Sequence, residues 1–223
     1  MGLREKSGRR WECLPISSQC ICLDKSTMNP SSTAIIILAA GGSSRLGLPK
    51  QLLQHRGKSL LRYTAETALA THPSEVVAIL GFEADRMKHE LDDLPVHLIT
   101  NQGWQEGIAS SIRAGIAEIP LTVDASLMLL CDQPFVTSDL LLRLITACTD
   151  EKPIAATGYE QTCGVPACFK RSLFAELLDL HGDAGAKRVI HRDQGRVATV
   201  PFPEAHVDID TLEDYRKHLE SEQ

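Results

Sequence analysis

Aromatic residues are scarce in this chain, and long apolar runs are missing. Phenylalanine, tryptophan and tyrosine together make up 4% of the 223 residues, too few for a surface that stacks the bases of single-stranded nucleic acid. The formal net charge is −6, and no lysine and arginine cluster forms the basic patch of a nucleic-acid-binding protein. The longest apolar runs fall far short of the roughly 20 residues that cross a bilayer. We therefore expect a soluble protein with neither nucleic acid nor membrane as a partner.

The seven cysteines lack the pattern of a disulfide scaffold or a zinc site. Their number is odd, and a chain of this length buries enough surface to fold without covalent cross-links. Cys20 and Cys22, with Cys13 upstream, lack the paired Cys-x-x-Cys spacing and nearby histidines of a metal site. We expect reduced thiols in the cytoplasm. The eight histidines show no catalytic spacing with a serine or cysteine, so we expect no catalytic triad.

The first 30 residues differ from the rest of the chain. Residues 1–27 hold five Lys/Arg against three Asp/Glu, in a chain that is acidic as a whole. They show neither strand or helix periodicity nor the long apolar core of a signal peptide. We expect residues 1–30 to be a disordered leader or a misassigned start of the reading frame, and residues 31–223 to form a single domain.

From Thr33 onward, apolar strand-like runs alternate with amphipathic helical stretches. Strands are predicted over residues 34–38, 75–80, 96–99, 125–131, 154–156, 167–169 and 207–210. Helices are predicted from a Ser59 cap through Thr71, over 84–91 and 108–118, after Thr137 or Ser138, near 173–180 and 184–191, and from Thr211. This alternation is typical of a mostly parallel sheet with crossover helices. The predicted fold class is α/β, a three-layer domain with a Rossmann-like sheet.

The most informative segment is the loop Leu38-Ala-Ala-Gly-Gly-Ser-Ser-Arg-Leu-Gly-Leu-Pro-Lys50. It follows a predicted strand, and open α/β sheets bind ligands at the carboxyl ends of their strands. Gly41 and Gly42 let backbone amides approach an anion, and Arg45 and Lys50 add two positive charges. The spacing fits neither a Walker A loop nor a dinucleotide-binding fingerprint. We therefore predict a triphosphate-binding loop; a solvated Gly/Ser-rich turn is the alternative.

Two acidic segments are candidates for a metal site. Asp132 follows the apolar run 125–131, which puts its carboxylate at the same sheet edge as the glycine loop; the alternative is that it merely opens a turn. Mg²⁺ typically binds one or two carboxylates together with substrate phosphates. In Val207-Asp-Ile-Asp210, alternation puts Asp208 and Asp210 on one side of a strand. We predict Asp132 and Asp208 as the metal ligands and Asp210 as a turn or helix-cap residue.

Further candidate binding residues lie in loops that join strands to helices. Gly107 allows a flat base to approach closely, and Ser110 or Ser111 can hydrogen-bond that base; a helix cap by Ser110 is the alternative. Gly182-Asp-Ala-Gly-Ala-Lys187 reads as a turn that opens a helix. Its amides and the charge of Lys187 could hold a second anionic substrate.

Taken together, these motifs resemble the molybdenum cofactor nucleotidyltransferases. The loop matches the signature Leu-Ala-(Ala/Gly)-Gly-x-x-x-Arg-x-Gly-x-x-Lys. The later matches are Asn101…Trp104…Gly107…Ser111, Cys131-Asp-Gln-Pro134, Gly164-x-Pro166…Phe169, Gly182-Asp-x-Gly-Ala-Lys187 and Asp208-Ile-Asp-Thr-x-Glu-Asp214, in that order. The resemblance covers about residues 33–219. Leu-Ala-Ala-Gly, Leu-Pro-Lys and Cys-Asp-Gln-Pro favour the cytidylyltransferase branch over the guanylyl branch, whereas Lys187 departs from the arginine of many relatives.

The resemblance implies a reaction and a set of site residues. CMP would pass from CTP to the phosphate of molybdopterin, with Mg²⁺ or Mn²⁺ as cofactor, pyrophosphate as product and a molybdoenzyme or its maturation chaperone as a partner. The implied catalytic residues are Arg45, Lys50 and Asp132, and the implied metal ligands are Asp132 and Asp208. The implied nucleotide-binding residues are Leu38, Ala39, Ala40, Gly41, Gly42, Arg45, Lys50, Gly107, Ser110 and Ser111. The implied acceptor-binding residues are Gly164, Pro166, Gly182, Asp183, Gly185 and Lys187. A guanylyl- or sugar-phosphate nucleotidyltransferase, or a non-catalytic cofactor carrier, is the alternative.

Overall fold

The computed structural model describes residues 11–13, 22–24, 29–43, 47–159, 162–206, 208–209 and 211–218. The strands are β1 (Trp11–Cys13), β2 (Cys22–Asp24), β3 (Thr33–Ala39), β4 (Gln54–His55), β5 (Lys58–Ser59), β6 (Glu75–Leu80), β7 (His97–Thr100), β8 (Ala125–Leu130), β9 (Ile154–Tyr159), β10 (Thr162–Lys170) and β11 (Val197–Pro201). The helices are α1 (Leu60–Leu69), α2 (Ala84–His89), α3 (Ile108–Glu118), α4 (Ser138–Ala147), α5 (Phe174–Leu178), α6 (Lys187–Arg192) and α7 (Leu212–His218).

Seven strands form one sheet in the order β11-β9-β10-β8-β3-β6-β7. The pairs β8–β3, β3–β6, β6–β7 and β9–β11 are parallel, whereas β10 runs antiparallel to both β8 and β9. The predicted α/β fold with a mostly parallel sheet is confirmed. β10 is the exception, because only two residues separate the end of β9 from its start. The crossover that joins parallel neighbours takes about a dozen residues.

The hydrophobic core lies in two layers on either side of the sheet. All seven residues of β3 are buried, and alternate side chains along it enter opposite layers. Ile35 and Ile37 pack with residues of α1 and α4, whereas Ile36 packs with residues of α3 and α5. Helices therefore cover both faces of the sheet, which gives the predicted three-layer arrangement. This packing fixes β3, and with it the start of the glycine loop.

Several element boundaries match the predictions, and others require correction. β6 and α3 have the predicted bounds. Ser59 and Thr137 cap α1 and α4, because each side chain accepts a hydrogen bond from the amide of the third residue of its helix. The strands predicted at 154–156 and 167–169 are longer and form a hairpin. The helices predicted near 173–180 and 184–191 are the shorter α5 and the later-starting α6.

The predicted strand over 207–210 is wrong at its described residues, because residues 208–209 are irregular. The Ile209 amide donates to the Asp132 carbonyl at 2.9 Å, so this segment bonds the loop after β8 and joins no sheet.

Within the segment predicted as a leader, β1 and β2 pair antiparallel, with Trp11 opposite Asp24. The sequence pattern gave no sign of these two short strands. That residues 1–30 are a disordered leader or a misassigned start stays a prediction. No helix in the described part of the chain is long and apolar enough to span a bilayer.

Candidate active site

A cavity of about 420 Å³ opens beyond the carboxyl ends of β3 and β8. Its lining residues are Leu38, Ala40, Gly41, Lys50, Gln51, Trp104, Gln105, Gly107, Ile108, Ser111, Leu130, Cys131, Asp132 and Asp183. The volume lies within the range of small-molecule sites, and the position is the one where open α/β sheets bind ligands. The fold thus brings four segments that are distant in sequence to one sheet edge.

Lys50 and Asp132 form an ion pair in this lining. The Lys50 ammonium donates to Asp132 Oδ2, and 22% and 11% of the two side chains are exposed. The other carboxylate oxygen, Oδ1, is buried and has no hydrogen-bond partner within the described structure. A buried acceptor without a partner is costly, and a hard cation that needs oxygen ligands would satisfy it. The Asp132 carboxylate therefore has the chemistry of a metal ligand.

The glycine loop is held by two hydrogen bonds from Gln51, the residue after Lys50. Gln51 is buried, and its Nε2 donates to the carbonyls of Ala39 and Gly41 at 2.9 and 2.8 Å. The Lys50 amide also donates to Ser43 Oγ at 3.1 Å. Gln51 was not among the predicted site residues; a glutamine between Lys50 and the apolar pair Leu52-Leu53 is a weak sequence signal. Arg45 lies outside the described residues.

Aromatic side chains close one side of the glycine loop. Trp104 lines the cavity and stacks edge-on against Phe82, with ring centroids 5.8 Å apart. A Cβ atom on Gly42 would touch both rings at 3.5 Å, and one on Gly81 would come within 2.7 Å of the Ala40 carbonyl oxygen. Glycine at position 81 therefore allows the β6 end to pack against the loop. Phe82 was not predicted as part of the site.

The two predicted base-contacting serines have different positions. Asn101 Nδ2 donates to Ser110 Oγ at 2.8 Å and to Ser111 Oγ at 3.1 Å. The Ser110 hydroxyl in turn donates to the Gly107 carbonyl, while Ser111 lines the cavity. Ser110 thus stabilises the start of α3, whose N-cap is Gly107. Ser111 is the serine that the fold brings to the cavity.

Two walls of the cavity meet at Gly107 and Gly182. Gly107 has a φ of +120°, and a Cβ atom there would lie 2.4 Å from the Gly182 carbonyl oxygen and 2.5 Å from Asp183 Oδ1. The Ala109 amide donates to the same Gly182 carbonyl at 3.1 Å. Only a glycine combines this backbone conformation with such a close approach. The contact joins the predicted nucleotide side to the predicted acceptor side.

An ion pair on the outside of the cavity supports that junction. Arg113 Nη2 donates to Glu106 Oε2 at 2.7 Å, and Arg113 Nη1 donates to the Leu180 carbonyl at 2.6 Å. The hydrogen bond from Arg113 holds the pKa of Glu106 below its usual value. The sequence gave no indication of the contact between Arg113 and Leu180, since the two residues lie far apart along the chain.

The remaining predicted acceptor residues form a neighbouring group. Lys187 Nζ donates to the Tyr159 hydroxyl at 3.0 Å and lies 5.6 Å from the centroid of that ring. A Cβ atom on Gly164 would come within 2.9 Å of Lys187 Cε, so glycine there makes room for the lysine stem. Pro166 follows Gly164 on β10, and Gly185 faces Ile108 Cγ2. Of the predicted acceptor residues, only Asp183 lines the cavity itself.

The second predicted metal ligand is close to the first along the backbone. The Ile209 amide donates to the Asp132 carbonyl at 2.9 Å, and the preceding residue, Asp208, is exposed and is not among the residues that line the cavity. Asp210 lies outside the described residues. The described residues contain no group of three or more His, Cys, Asp or Glu side chains able to hold a metal. One or two carboxylates suffice for Mg²⁺, because substrate phosphates commonly complete such sites, and Asp132 in the cavity lining supplies one.

Cys131 also lines the cavity but is unsuited to nucleophilic chemistry. Burial raises the pKa of its thiol far above the usual value, and the adjacent Asp132 charge adds to the effect. The thiol therefore stays protonated at neutral pH, and the thiolate is the nucleophilic form.

Solved structures of similar proteins share this architecture. A homologue of Rv0371c from Mycobacterium sp. strain JC1 is 29% identical, covers 86% of this chain and 96% of its own, and superposes with a TM-score of 0.75. Rv0371c from Mycobacterium tuberculosis H37Rv, solved in complex with manganese, is 28% identical over 85% of this chain and 98% of its own, with a TM-score of 0.72. These neighbours support the α/β fold with a mostly parallel sheet.

Sequence comparison gives the family. Nicotine blue oxidoreductase from Paenarthrobacter nicotinovorans is 36% identical over 113 residues, which is 50% of this chain and 55% of that protein. The chain thus matches about half the length of this relative. The model of the MobA-like NTP transferase domain matches residues 35–197, which include the glycine loop, Lys50, Asp132 and Lys187. The chain belongs to the MobA-like NTP transferase family.

Proposed function

We propose that this chain transfers CMP from CTP to the phosphate of molybdopterin, releases pyrophosphate and forms molybdopterin cytosine dinucleotide. Family membership supports a nucleoside triphosphate as substrate and nucleotidyl transfer as the reaction class. The observation that carries the proposal is Asp132, which pairs with Lys50 in the cavity lining and keeps one buried oxygen without a partner. The motifs of the cytidylyltransferase branch support cytosine and molybdopterin as the finer assignment.

Charge neutralisation is the main task of the site residues in this reaction. The phosphate of molybdopterin is already ionised at neutral pH, so it attacks the α-phosphate of CTP without a general base. Lys50 would donate to the α-phosphate, and Arg45 would hold the β- and γ-phosphates. Asp132 and Asp208 would hold Mg²⁺ or Mn²⁺, which supplies charge stabilisation and orientation when bound. The manganese complex of Rv0371c supports a divalent cation for this fold.

The nucleotide would bind on the glycine-loop side of the cavity. The backbone groups for the phosphates would come from Leu38, Ala39, Ala40, Gly41 and Gly42. The base would contact Gly107 and Ser111, and Ser110 would support them through its hydrogen bond to the Gly107 carbonyl. Leu38, Ala40, Gly41, Gly107 and Ser111 all line the cavity, which supports this assignment.

The acceptor would bind on the opposite side of the cavity. The residues that would hold it are Gly164, Pro166, Gly182, Asp183, Gly185 and Lys187. The contact between Gly107 and Gly182 supports this arrangement, because it joins the wall proposed for the nucleotide to the wall proposed for the acceptor. Holding two reactants in line is worth a large share of the barrier in such reactions.

A pyrophosphate-release screen tests the proposal. The chain is incubated with each of the four ribonucleoside triphosphates, Mg²⁺ or Mn²⁺, and molybdopterin or several phosphorylated sugars. We expect release with CTP and molybdopterin, at a rate more than tenfold above GTP, which corresponds to about 1.4 kcal/mol.

Each other outcome of the screen contradicts a stated part of the proposal. Equal rates with CTP and GTP would overturn the cytidylyl assignment, and release only with a sugar phosphate would overturn the acceptor. Binding of molybdopterin without any pyrophosphate would indicate a carrier. Oxidation of a reduced nicotinamide nucleotide instead of nucleotidyl transfer would indicate an oxidoreductase, the activity in the name of the Paenarthrobacter relative.

A further inference from the structure

Gln51 uses both of its amide hydrogens on the glycine loop. Its Nε2 lies 2.9 Å from the Ala39 carbonyl oxygen and 2.8 Å from the Gly41 carbonyl oxygen, and only 2% of the residue is exposed. The acceptor atom at the same end of the side chain, Oε1, is buried without a hydrogen-bond partner in the described structure. The site therefore uses Gln51 as a donor, at the expense of an unsatisfied acceptor.

The two carbonyls that Gln51 binds belong to the loop that lines the cavity. A carbonyl oxygen carries a partial negative charge, so one that turns toward a triphosphate repels it. Because the Gln51 side chain donates hydrogen bonds to the Ala39 and Gly41 carbonyls, it keeps the loop in a conformation whose backbone amides stay available to an anion. The Lys50 amide anchors Ser43 of the same loop at 3.1 Å. Lys50 and Gln51 thus fix the described part of the loop at three points.

We propose that Gln51 is a positioning residue for nucleotide phosphates. It acts through the loop, since both of its amide hydrogens are already donated to the Ala39 and Gly41 carbonyls. The inference rests on the proposed function only in requiring a nucleoside triphosphate as ligand, and it is independent of the acceptor. Because the donor end is the part in use, the isosteric Gln51→Glu loses both hydrogen bonds and adds a negative charge near the phosphates. Gln51→Met keeps the length of the side chain and removes only the hydrogen bonding.

The test is calorimetric titration of CTP and CMP, each with Mn²⁺, into the full chain and its variants. We expect Gln51→Met to raise the Kd of CTP roughly tenfold, as the loss of two hydrogen bonds would. We expect Gln51→Glu to raise it further, by about 10²-fold, since a charge is added. The Kd of CMP should change less in both variants, because CMP lacks the phosphates that the loop is proposed to hold.

Thr71→Val is the matched control. Thr71 is also buried, with 2% of the residue exposed, and its hydroxyl donates to the Ala68 carbonyl at 2.8 Å rather than to the loop. This variant should lose thermal stability without changing the Kd of CTP. If Gln51→Glu fails to fold, amide hydrogen exchange of residues 40–43 in Gln51→Met gives a second measurement, with faster exchange expected.

The outcomes separate this inference from the proposed function. No binding of any nucleoside triphosphate by the unaltered chain would contradict the proposed function. Binding of CTP by the unaltered chain and by Gln51→Met with the same Kd would overturn the role of Gln51 alone. Equal weakening of CTP and CMP binding, or an equal loss of CTP affinity in Thr71→Val, would show that Gln51 only contributes to general packing and would overturn the inference.

Discussion

The two sides of the cavity are built in different ways. On the nucleotide side, the glycine loop leaves the fully buried β3 and is held by the buried Gln51. At the junction with the acceptor side, Glu106 and Arg113 support the wall with side chains that are 43% and 27% exposed. On the acceptor side itself, Lys187 contacts Tyr159 in an exposed hydrogen bond. Buried backbone contacts suit a group that never varies, such as a triphosphate. Exposed side-chain contacts can change between relatives without disturbing the core.

Asp132→Asn changes the carboxylate that pairs with Lys50 in the cavity lining, and we expect the largest effect there. Asparagine keeps the shape but removes the charge that a cation and Lys50 require. Metal assistance is worth several kcal/mol, so turnover should fall by roughly 10³-fold or more, even with excess Mg²⁺. Pyrophosphate release and the melting temperature are measured together. Asp124→Asn, an exposed carboxylate just before the other end of β8, is the control and should retain full activity. Retained activity in Asp132→Asn would contradict the role given to this carboxylate.

Lys50→Ala tests whether the nucleotide side serves the transition state. If Lys50 stabilises charge as the phosphoryl bond breaks, kcat should fall by roughly 10²- to 10³-fold. Lys58→Ala, which breaks the ion pair of Lys58 with Glu66 outside the cavity, should leave kcat unchanged. Steady-state kinetics with varied CTP distinguish the two roles. A rise confined to the KM for CTP would make Lys50 a ground-state ligand.

A pair of glycine substitutions sharpens the contrast between the two sides. Gly107→Ala should strain a positive φ and force a Cβ against the Gly182 carbonyl, at a cost on the order of 1–3 kcal/mol in unfolding free energy. Gly41→Ala meets nothing within 4 Å, so stability should hold while CTP binding weakens, because Gly41 lines the cavity. Chemical denaturation and CTP titration of both variants give the comparison. Equal unfolding free energies of the two variants would contradict the tight contact between Gly107 and Gly182 that joins the two sides of the cavity.

Lys187→Met should have the smallest effect, limited to the acceptor. Loss of a charged hydrogen-bond donor should raise the KM for molybdopterin about tenfold and leave the Kd of CTP unchanged. Lys187→Arg should restore most of the affinity, because it keeps the charge and adds a planar set of donors. A change in the Kd of CTP, or no change in the KM for molybdopterin, would mean that Lys187 does not belong to the acceptor side.

Much of the fold was predictable because the buried strands are continuous apolar runs. Residues 75–80 and 108–118 have the predicted bounds, since the period of their apolar residues directly reflects their burial. β10 was underpredicted because it contains Gly164 and Pro166, residues that are uncommon in strands; the register shifts between Gly164 and Ala167. The alternation at 207–210 resembled a strand, although Ile209 bonds the Asp132 carbonyl instead.

The site was predictable where it follows from topology alone. Lys50 and Asp132 follow strands that pair in parallel, so the carboxyl ends of those strands bring them to one edge. Gln51 could not be predicted, because only the folded loop shows which carbonyls its amide meets. The contact of Arg113 with Leu180 is equally invisible, since no local pattern connects two residues so distant along the chain.

Transfer of label from [α-³²P]CTP tests the central claim most directly. The chain is incubated with labelled CTP, Mg²⁺ and molybdopterin, and the products are separated. The account predicts that the label appears on the acceptor in step with the release of unlabelled pyrophosphate, and that omission of either the metal or molybdopterin abolishes both. Label that stays in CTP, or that appears as free CMP at the same rate without molybdopterin, would contradict it.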